Sequence, residues 1–182
     1  MGKSTAASIL QKHGVAVIDT DQIARDLAQP GQPALAEIKR EFGDHLVNEK
    51  GELRRHELAA EVFSDTAKRA KLEAILHPRI RDVWSKAAQQ WRSENKSVAA
   101  VIIPLLFETN AQSAFNAVVC LACSQETQLQ RLRQRGWSDD DIQRRIAAQW
   151  PIEKKIAQSD FVVWTDTTLA AHEEQLKHLL PR

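Results

Sequence analysis

The sequence predicts an α/β fold in which a parallel sheet is flanked by helices, and three observations carry that reading. Apolar runs at 98–103, 117–122 and 161–164 have the length and unbroken hydrophobicity of strands covered on both faces. Helical periodicity fills the space between the second and third runs and follows the third. At 182 residues the chain has room for one such domain with a real core and a helical insert.

The elements follow in chain order. Gly2-Lys3-Ser4-Thr5 leads into good helix formers, Ala6 through Lys12, stopped by Gly14. Residues 15–18 read as a short buried strand that ends at Asp19-Thr20-Asp21. A helix is expected at about 22–27, punctuated by Pro30, Gly31 and Pro33, and another over 34–42, where Leu35, Ile38 and Phe42 share a face. Residues 45–55 are polar and irregular around Gly51. From 55 to 95 the pattern is helical, with breaks expected near Ser64-Asp65 and at His77-Pro78. Leu58, Val62, Leu72, Ile75, Ile80, Trp84 and Trp91 recur at helical spacing and read as core. Helices are expected at about 126–135, 139–149 and 169–180, with strands at the three apolar runs.

Composition excludes several classes. Hydrophobic residues make up 43% and charged ones 27%, and the formal net charge is +1. That is an ordinary globular balance with no global field to recruit nucleic acid or an anionic membrane. No apolar run approaches a membrane span, no signal-peptide layout opens the chain, and two cysteines are too few for a disulfide scaffold. Nucleic-acid and membrane partners are therefore not expected, and the cytoplasm is the expected compartment. Nothing in the sequence sets an oligomeric state.

Three segments carry chemistry. Gly2-Lys3-Ser4 supplies the last three positions of a phosphate loop, whose full pattern is G-x-x-x-x-G-K-[ST]. Such a triple also occurs in surface loops, but here it opens a helix, where an anion meets free N–H groups. Asp19-Thr20-Asp21 stands at a strand's carboxyl end, the usual ligand edge of an open α/β sheet. Two carboxylates there can position Mg²⁺ and accept a proton from an attacking hydroxyl; alternatively Asp19 or Thr20 caps the next helix while Asp21 faces the substrate. Arg131, Arg133, Arg135, Arg144, Arg145, Lys154 and Lys155 form a basic cluster with Gly136-Trp137-Ser138 as hinge and cap. A solvated charged face is the ordinary meaning of such a cluster; a mobile lid that neutralises a transferring phosphoryl group is the functional one.

In this order the segments resemble the dephospho-CoA kinases, a family of P-loop kinases, along nearly the whole chain. The likeness rests on Gly2 to Thr5, Val17-Ile18-Asp19-Thr20-Asp21 with Ile23-Ala24-Arg25, Pro30-Gly31, and Leu72-Glu73 with Ile75, His77 and Pro78. It continues in Pro104-Leu105-Leu106-Phe107-Glu108, Gln128 with Arg131-Leu132, Arg145-Ile146-Ala147-Ala148-Gln149 and Ser159-Asp160-Phe161-Val162-Val163. The resemblance implies transfer of the ATP γ-phosphoryl group to the ribose 3′-hydroxyl of dephospho-CoA, with ATP, Mg²⁺ and dephospho-CoA as ligands. It implies that Gly2, Lys3, Ser4 and Thr5 hold phosphate, with Ser4 and Asp19 toward the metal. Asp21 would orient or deprotonate the 3′-hydroxyl. Arg131, with Arg135 and Arg145, would stabilise the transferring group, Lys3 and Arg131 acting catalytically alongside Asp21. Arg25, His77, Leu105, Leu106 and Glu108 would shape the dephospho-CoA side. It further implies one kinase domain over 1–182, with a helical substrate-side insert at about 43–95 and a lid at about 136–155.

The sequence departs from this family at two places. An apolar strand and a longer glycine-rich loop normally precede the Gly-Lys-Ser triple, whereas Met1 stands directly before Gly2. The expectation is a sheet without its first strand, leaving unpaired N–H and C=O groups in a slot between neighbours. Met1 as an internal residue of a longer loop, favoured by the intact motifs downstream, competes with a catalytically impaired truncated paralogue. At 163–167, Val-Trp-Thr-Asp-Thr replaces the Asn and Gly often found near the adenine. Another P-loop kinase of a nucleoside or small metabolite is the alternative enzyme, against which His77-Pro78 and the 104–108 segment argue. Cys120 and Cys123 form a C-x-x-C inside a strand run and read as buried core thiols rather than redox partners. Of the six histidines, only His77 has a functional case, beside a helix-capping one. Trp84, Trp91 and Trp164 read as core.

Overall fold

The computed structural model describes residues 2–181. The chain runs through α1 (Lys3–Lys12), β1 (Ala16–Asp19), α2 (Thr20–Leu27), α3 (Pro33–Phe42), α4 (Arg55–Ser64), α5 (Thr66–Ser93), β2 (Ala99–Ile102), β3 (Val119–Ala122), α6 (Gln125–Arg133), α7 (Asp139–Ala147), α8 (Ile152–Ala157), β4 (Phe161–Trp164) and α9 (Leu169–Lys177). The described strands form two sheets of two, β1 with β2 and β3 with β4. β3 and β4 run parallel, with Val119 opposite Phe161 and Ala122 opposite Trp164. The fold is thus the expected α/β type, with parallel strands among helices.

Two compact units divide the chain: 1–17 with 102–182, and 18–101. The second is helical in its bulk. Its core joins Ala34 and Ile38 of α3, Leu58 and Val62 of α4 and Ile75 of α5 with Leu46, and Leu72, Leu76 and Phe42 pack around them. Between α3 and α4 a single 3₁₀ turn, Asp44–Leu46, and an antiparallel bridge between Val47 and Leu53 give the polar stretch its order. The first unit packs Ala6 and Ile9 of α1 against Val163 and Leu176. Glu173 of α9 joins α1 at its end, meeting Lys12 at 2.9 Å and His13 at 2.8 Å. Among the described residues no helix is long and apolar enough to cross a membrane.

Several expectations from the sequence need correction. α5 does not break at Pro78 but runs through it. A proline removes one N–H and crowds the carbonyl four residues back, so something else must hold the helix. Asp65 caps its start by accepting from Ala67 N and Lys68 N, and Arg79 donates to the Ile75 carbonyl and to Glu37 of α3. His77 therefore lies inside a helix and caps nothing. None of the three later strands is covered throughout, since Ala99 of β2, Val119 of β3 and Phe161 of β4 are exposed. Trp164 is 47% exposed rather than core, while Trp84 is buried. Finally, α8 escaped the periodicity reading because six residues are too few to show a period.

Candidate active site

In the first unit, α1 begins on a left-handed Gly2, at φ 70°. No side chain caps this end, and no acidic residue occupies its first turn. The N–H groups of Lys3, Ser4 and Thr5 precede the first intrahelical bond, which Ala6 N donates to the Gly2 carbonyl at 2.9 Å. Orphan donors, the positive end of the helix dipole and the Lys3 ammonium thus add up to a place for an anion. Gly2 has a second constraint besides its φ. A Cβ there would stand 3.1 Å from Thr165 Cγ2 and 3.5 Å from His172 Cε1, so the approach of α1 to the turn after β4 needs glycine.

That turn is fixed from several sides. Thr165 is buried and donates its N–H to the Ala122 carbonyl at 2.8 Å. Asp166 accepts from Ser124 N at 2.8 Å and from Ser124 Oγ at 3.1 Å, tying the turn to the start of α6. Arg131 of α6 reaches the same turn, donating to Thr165 Oγ1 at 2.9 Å and to the Thr165 carbonyl. Thr165 therefore connects two of the expected site residues, Gly2 and Arg131. In the sequence it belongs to the departure at 163–167, and no local pattern marks it. His172 lies beside it, buried, with Nε2 lacking any hydrogen-bond partner. Burial first, and then the Arg131 charge, push its pKa below the ordinary range.

The basic cluster resolves into separate jobs. Arg133 pairs with Asp139 at 2.8 Å, joining α6 to α7 across Gly136. Ser138 caps α7 by accepting from Asp141 N. Arg145 lies 4.2 Å over the Trp137 ring, and burial lowers its pKa. Arg135 is exposed in the turn after α6. Lys155, taken from sequence as one more surface cation, is 7% exposed and pairs with Glu108 at 2.9 Å. With α8 located, the reason is plain: Lys155 falls three residues after Ile152 and next to Ile156, on the apolar side of that short helix. Leu105 and Leu106 sit half-buried in the turn before Glu108, where Thr109 N donates to the Leu105 carbonyl at 3.0 Å and Ala111 N to that of Leu106 at 3.0 Å.

In the second unit, Asp19 ends β1 and caps α2, its Oδ1 accepting from Asp21 N at 2.9 Å. Asp21 occupies the exposed first turn of α2. Arg25 is exposed one turn further on, and its carbonyl accepts from Arg55 at 2.9 Å. His77 is half-buried in α5; burial is the main cause of its lowered pKa, aided by Arg69 and Arg81 and opposed by Glu73.

The chain is similar to known proteins over most of its length. The family model for dephospho-CoA kinase (CoaE) matches residues 1–171. The Bdellovibrio bacteriovorus dephospho-CoA kinase is 40% identical over 162 residues, which is 89% of this chain and 81% of that one. Among solved structures, TT1252 from Thermus thermophilus superposes with a TM-score of 0.81 at 30% identity, covering 98% of this chain and 90% of its own. A dephospho-CoA kinase from Campylobacter jejuni gives 0.70 at 28% identity, covering 98% and 89%. The chain belongs to the dephospho-CoA kinase family, a family of ATP-dependent kinases.

Proposed function

We propose that this protein transfers the γ-phosphoryl group of ATP to the ribose 3′-hydroxyl of dephospho-CoA, as one kinase domain over 1–182 acting in the cytoplasm. The carrying observation is the open start of α1, where a left-handed Gly2, Lys3 and three uncapped N–H groups offer phosphate a cationic cradle. Lys3 supplies charge there, and the Ser4 hydroxyl, exposed in the first turn, faces no competing cap. Arg131 is held by Thr165 through both a hydroxyl and a carbonyl, so its guanidinium is ordered before any ligand arrives. Preorganised charge of this kind stabilises a transferring phosphoryl group without reorganisation cost.

Magnesium fits the donor set. Among the described residues no three His, Cys, Asp or Glu side chains build a metal cage, and Mg²⁺ does not require one: it takes one or two protein oxygens and completes its shell with phosphate and water. The family resemblance assigns it the Ser4 hydroxyl and the Asp19 carboxylate as oxygen donors. When bound it neutralises charge on the β- and γ-oxygens. Asp21, in the first turn of α2, would orient the 3′-hydroxyl and take its proton. Arg25, His77, Leu105, Leu106 and Glu108 would shape the acceptor side, His77 from an insert at about 43–95; a lid at about 136–155 would carry Arg145, with Arg135 at its edge.

Coupled ADP release with dephospho-CoA, ATP and Mg²⁺ tests the reading, with a panel of nucleosides and small metabolites as competing acceptors. Turnover selective for dephospho-CoA, abolished by Asp21→Asn with nucleotide binding retained, is the expected result. Equal turnover on a panel acceptor would replace the substrate, and an unchanged kcat in Asp21→Asn would remove that carboxylate as base.

A further inference from the structure

The unit that carries Arg131 and Arg145 buries one ion pair. Lys155 and Glu108 have side chains only 9% and 14% exposed, and their charged atoms are 2.9 Å apart. Lys155 Nζ also donates to Gln149 Oε1 at 3.2 Å and to the Pro104 carbonyl at 3.3 Å. An ammonium has three donors, and here each has an acceptor. Glu108 Oε1 accepts a second bond from Trp150 N at 2.8 Å. Desolvation opposes ionisation of Glu108, yet the ammonium and this amide keep its pKa below the ordinary value. Burying two charges is expensive and is seldom the cheapest way to hold a fold together. Such a pair therefore asks what it fixes.

It fixes the chain that follows α7. Gln149, one partner of Lys155, donates through Nε2 to the Arg145 carbonyl at 3.4 Å. Trp150, bonded to Glu108, stacks on Phe107 with centroids 5.7 Å apart and planes 6° from parallel. Lys154 covers that indole at 3.3 Å. Among the residues of α7, Ile142 alone is buried, while Asp139 pairs with Arg133 and Asp141 with Arg144 at the surface. The polar line from Glu108 through Lys155 and Gln149 is thus a directed restraint on the last turn of α7, where Arg145 resides.

We propose that Glu108, Lys155 and Gln149 are positioning residues that set the end of α7 and thereby the Arg145 guanidinium for nucleotide. This rests on the kinase reading above. It also gives Glu108 a different task from lining the acceptor side: its carboxylate holds the lid end in place.

Three variants test it. Lys155→Met strands the Glu108 carboxylate, Glu108→Gln with Lys155→Met removes both charges, and Gln149→Ala cuts the line while leaving the pair whole. Two measurements apply to each: steady-state constants for ATP and dephospho-CoA, and amide hydrogen exchange across 139–147 against the rest of the chain. Lys155→Met should lower kcat/KM for ATP by roughly tenfold or more, with the dephospho-CoA KM within about twofold of the parent. The double variant should recover part of that loss, because no unpaired charge remains. Gln149→Ala should act in the same direction by a few fold, with exchange over 139–147 quickened in all three. Unchanged exchange there in Gln149→Ala, or equal rises in both KM values, overturns the proposal. If the unaltered chain does not phosphorylate dephospho-CoA, the kinase reading fails, and exchange over 139–147 still decides whether the line holds α7.

Discussion

The two compact units solve the folding problem differently. The unit at 18–101 is held by aliphatic side chains: Ile38 and Leu46 are wholly buried, with Leu58, Val62 and Ile75 nearly so. Its ion pairs lie toward the surface, as where Lys71 meets Glu41 and Lys68 meets Glu61. The other unit buries Lys155, Thr165 and His172, and the orphaned Glu108 Oε2, Gln112 Oε1 and His172 Nε2 all belong to it. Apolar burial is non-directional and tolerates exchange of one hydrocarbon for another. Buried polar groups must each find a partner with the right geometry, so they specify position at the cost of stability. The contrast assigns shape to the first kind of core and chemistry to the second.

The largest effects should separate along that line. Arg131→Ala should lower kcat by on the order of 10³ or more, while the melting temperature falls less than for a core truncation, because hydrogen bonds to Thr165 are lost but no apolar cavity opens. Ile38→Ala should do the opposite. With the side chain 0% exposed, its loss leaves a cavity costing roughly 2–5 kcal/mol, read by denaturant titration, with turnover per folded molecule unchanged. An Arg131→Ala protein as destabilised as Ile38→Ala would break the comparison.

What the sequence revealed follows the same division. α3 was legible because Leu35, Ile38 and Phe42 repeat at helical spacing, and the three later apolar runs became β2, β3 and β4. Asp19 as a cap with Asp21 beyond it was one of two arrangements the motif allowed, and it is the one observed. Pro78 misled because its local penalty is outweighed by a capped start and by Arg79 holding the helix to α3. The polar groups of the other unit were hardest to see. Thr165 matters because Arg131 arrives from 34 residues away, and Glu108 meets Trp150 from 42 away. A single sequence shows such residues as types and not as pairs. Roles inferred for Lys3, Ser4 and Asp21 came from motif likeness, which encodes pairing that periodicity cannot.

A smaller effect lies in a cap. Asp65 accepts from both Ala67 N at 2.8 Å and Lys68 N at 3.1 Å, and α5 is the longest helix described, at 28 residues. Asp65→Ala should cost about 1 kcal/mol, seen as faster exchange in the first turn of α5, with no change in nucleotide binding. The uncapped α1 gives the control: Ser4→Ala should leave the helix stable and weaken nucleotide binding instead.

The subtlest prediction compares one histidine from each unit. His172 and His77 both have folded pKa values below the ordinary 6.5. A base whose pKa is depressed by folding stays neutral in the native state while the unfolded chain takes up a proton. Stability is therefore complete above pH 6.5 and declines as the pH falls from there toward each folded value. The surroundings differ. His172 has Arg131 against it and no opposing carboxylate among the causes of its shift, whereas Glu73 partly offsets burial and two arginines at His77. Exchange protection measured between pH 7 and 5 should fall in both α9 and α5. His172→Gln should flatten the first dependence and His77→Gln the second. A response in α5 that His77→Gln removes, with none in α9, would mean that only the aliphatic unit carries an ionisation penalty, and the division between a core for shape and a core for chemistry would have to be redrawn.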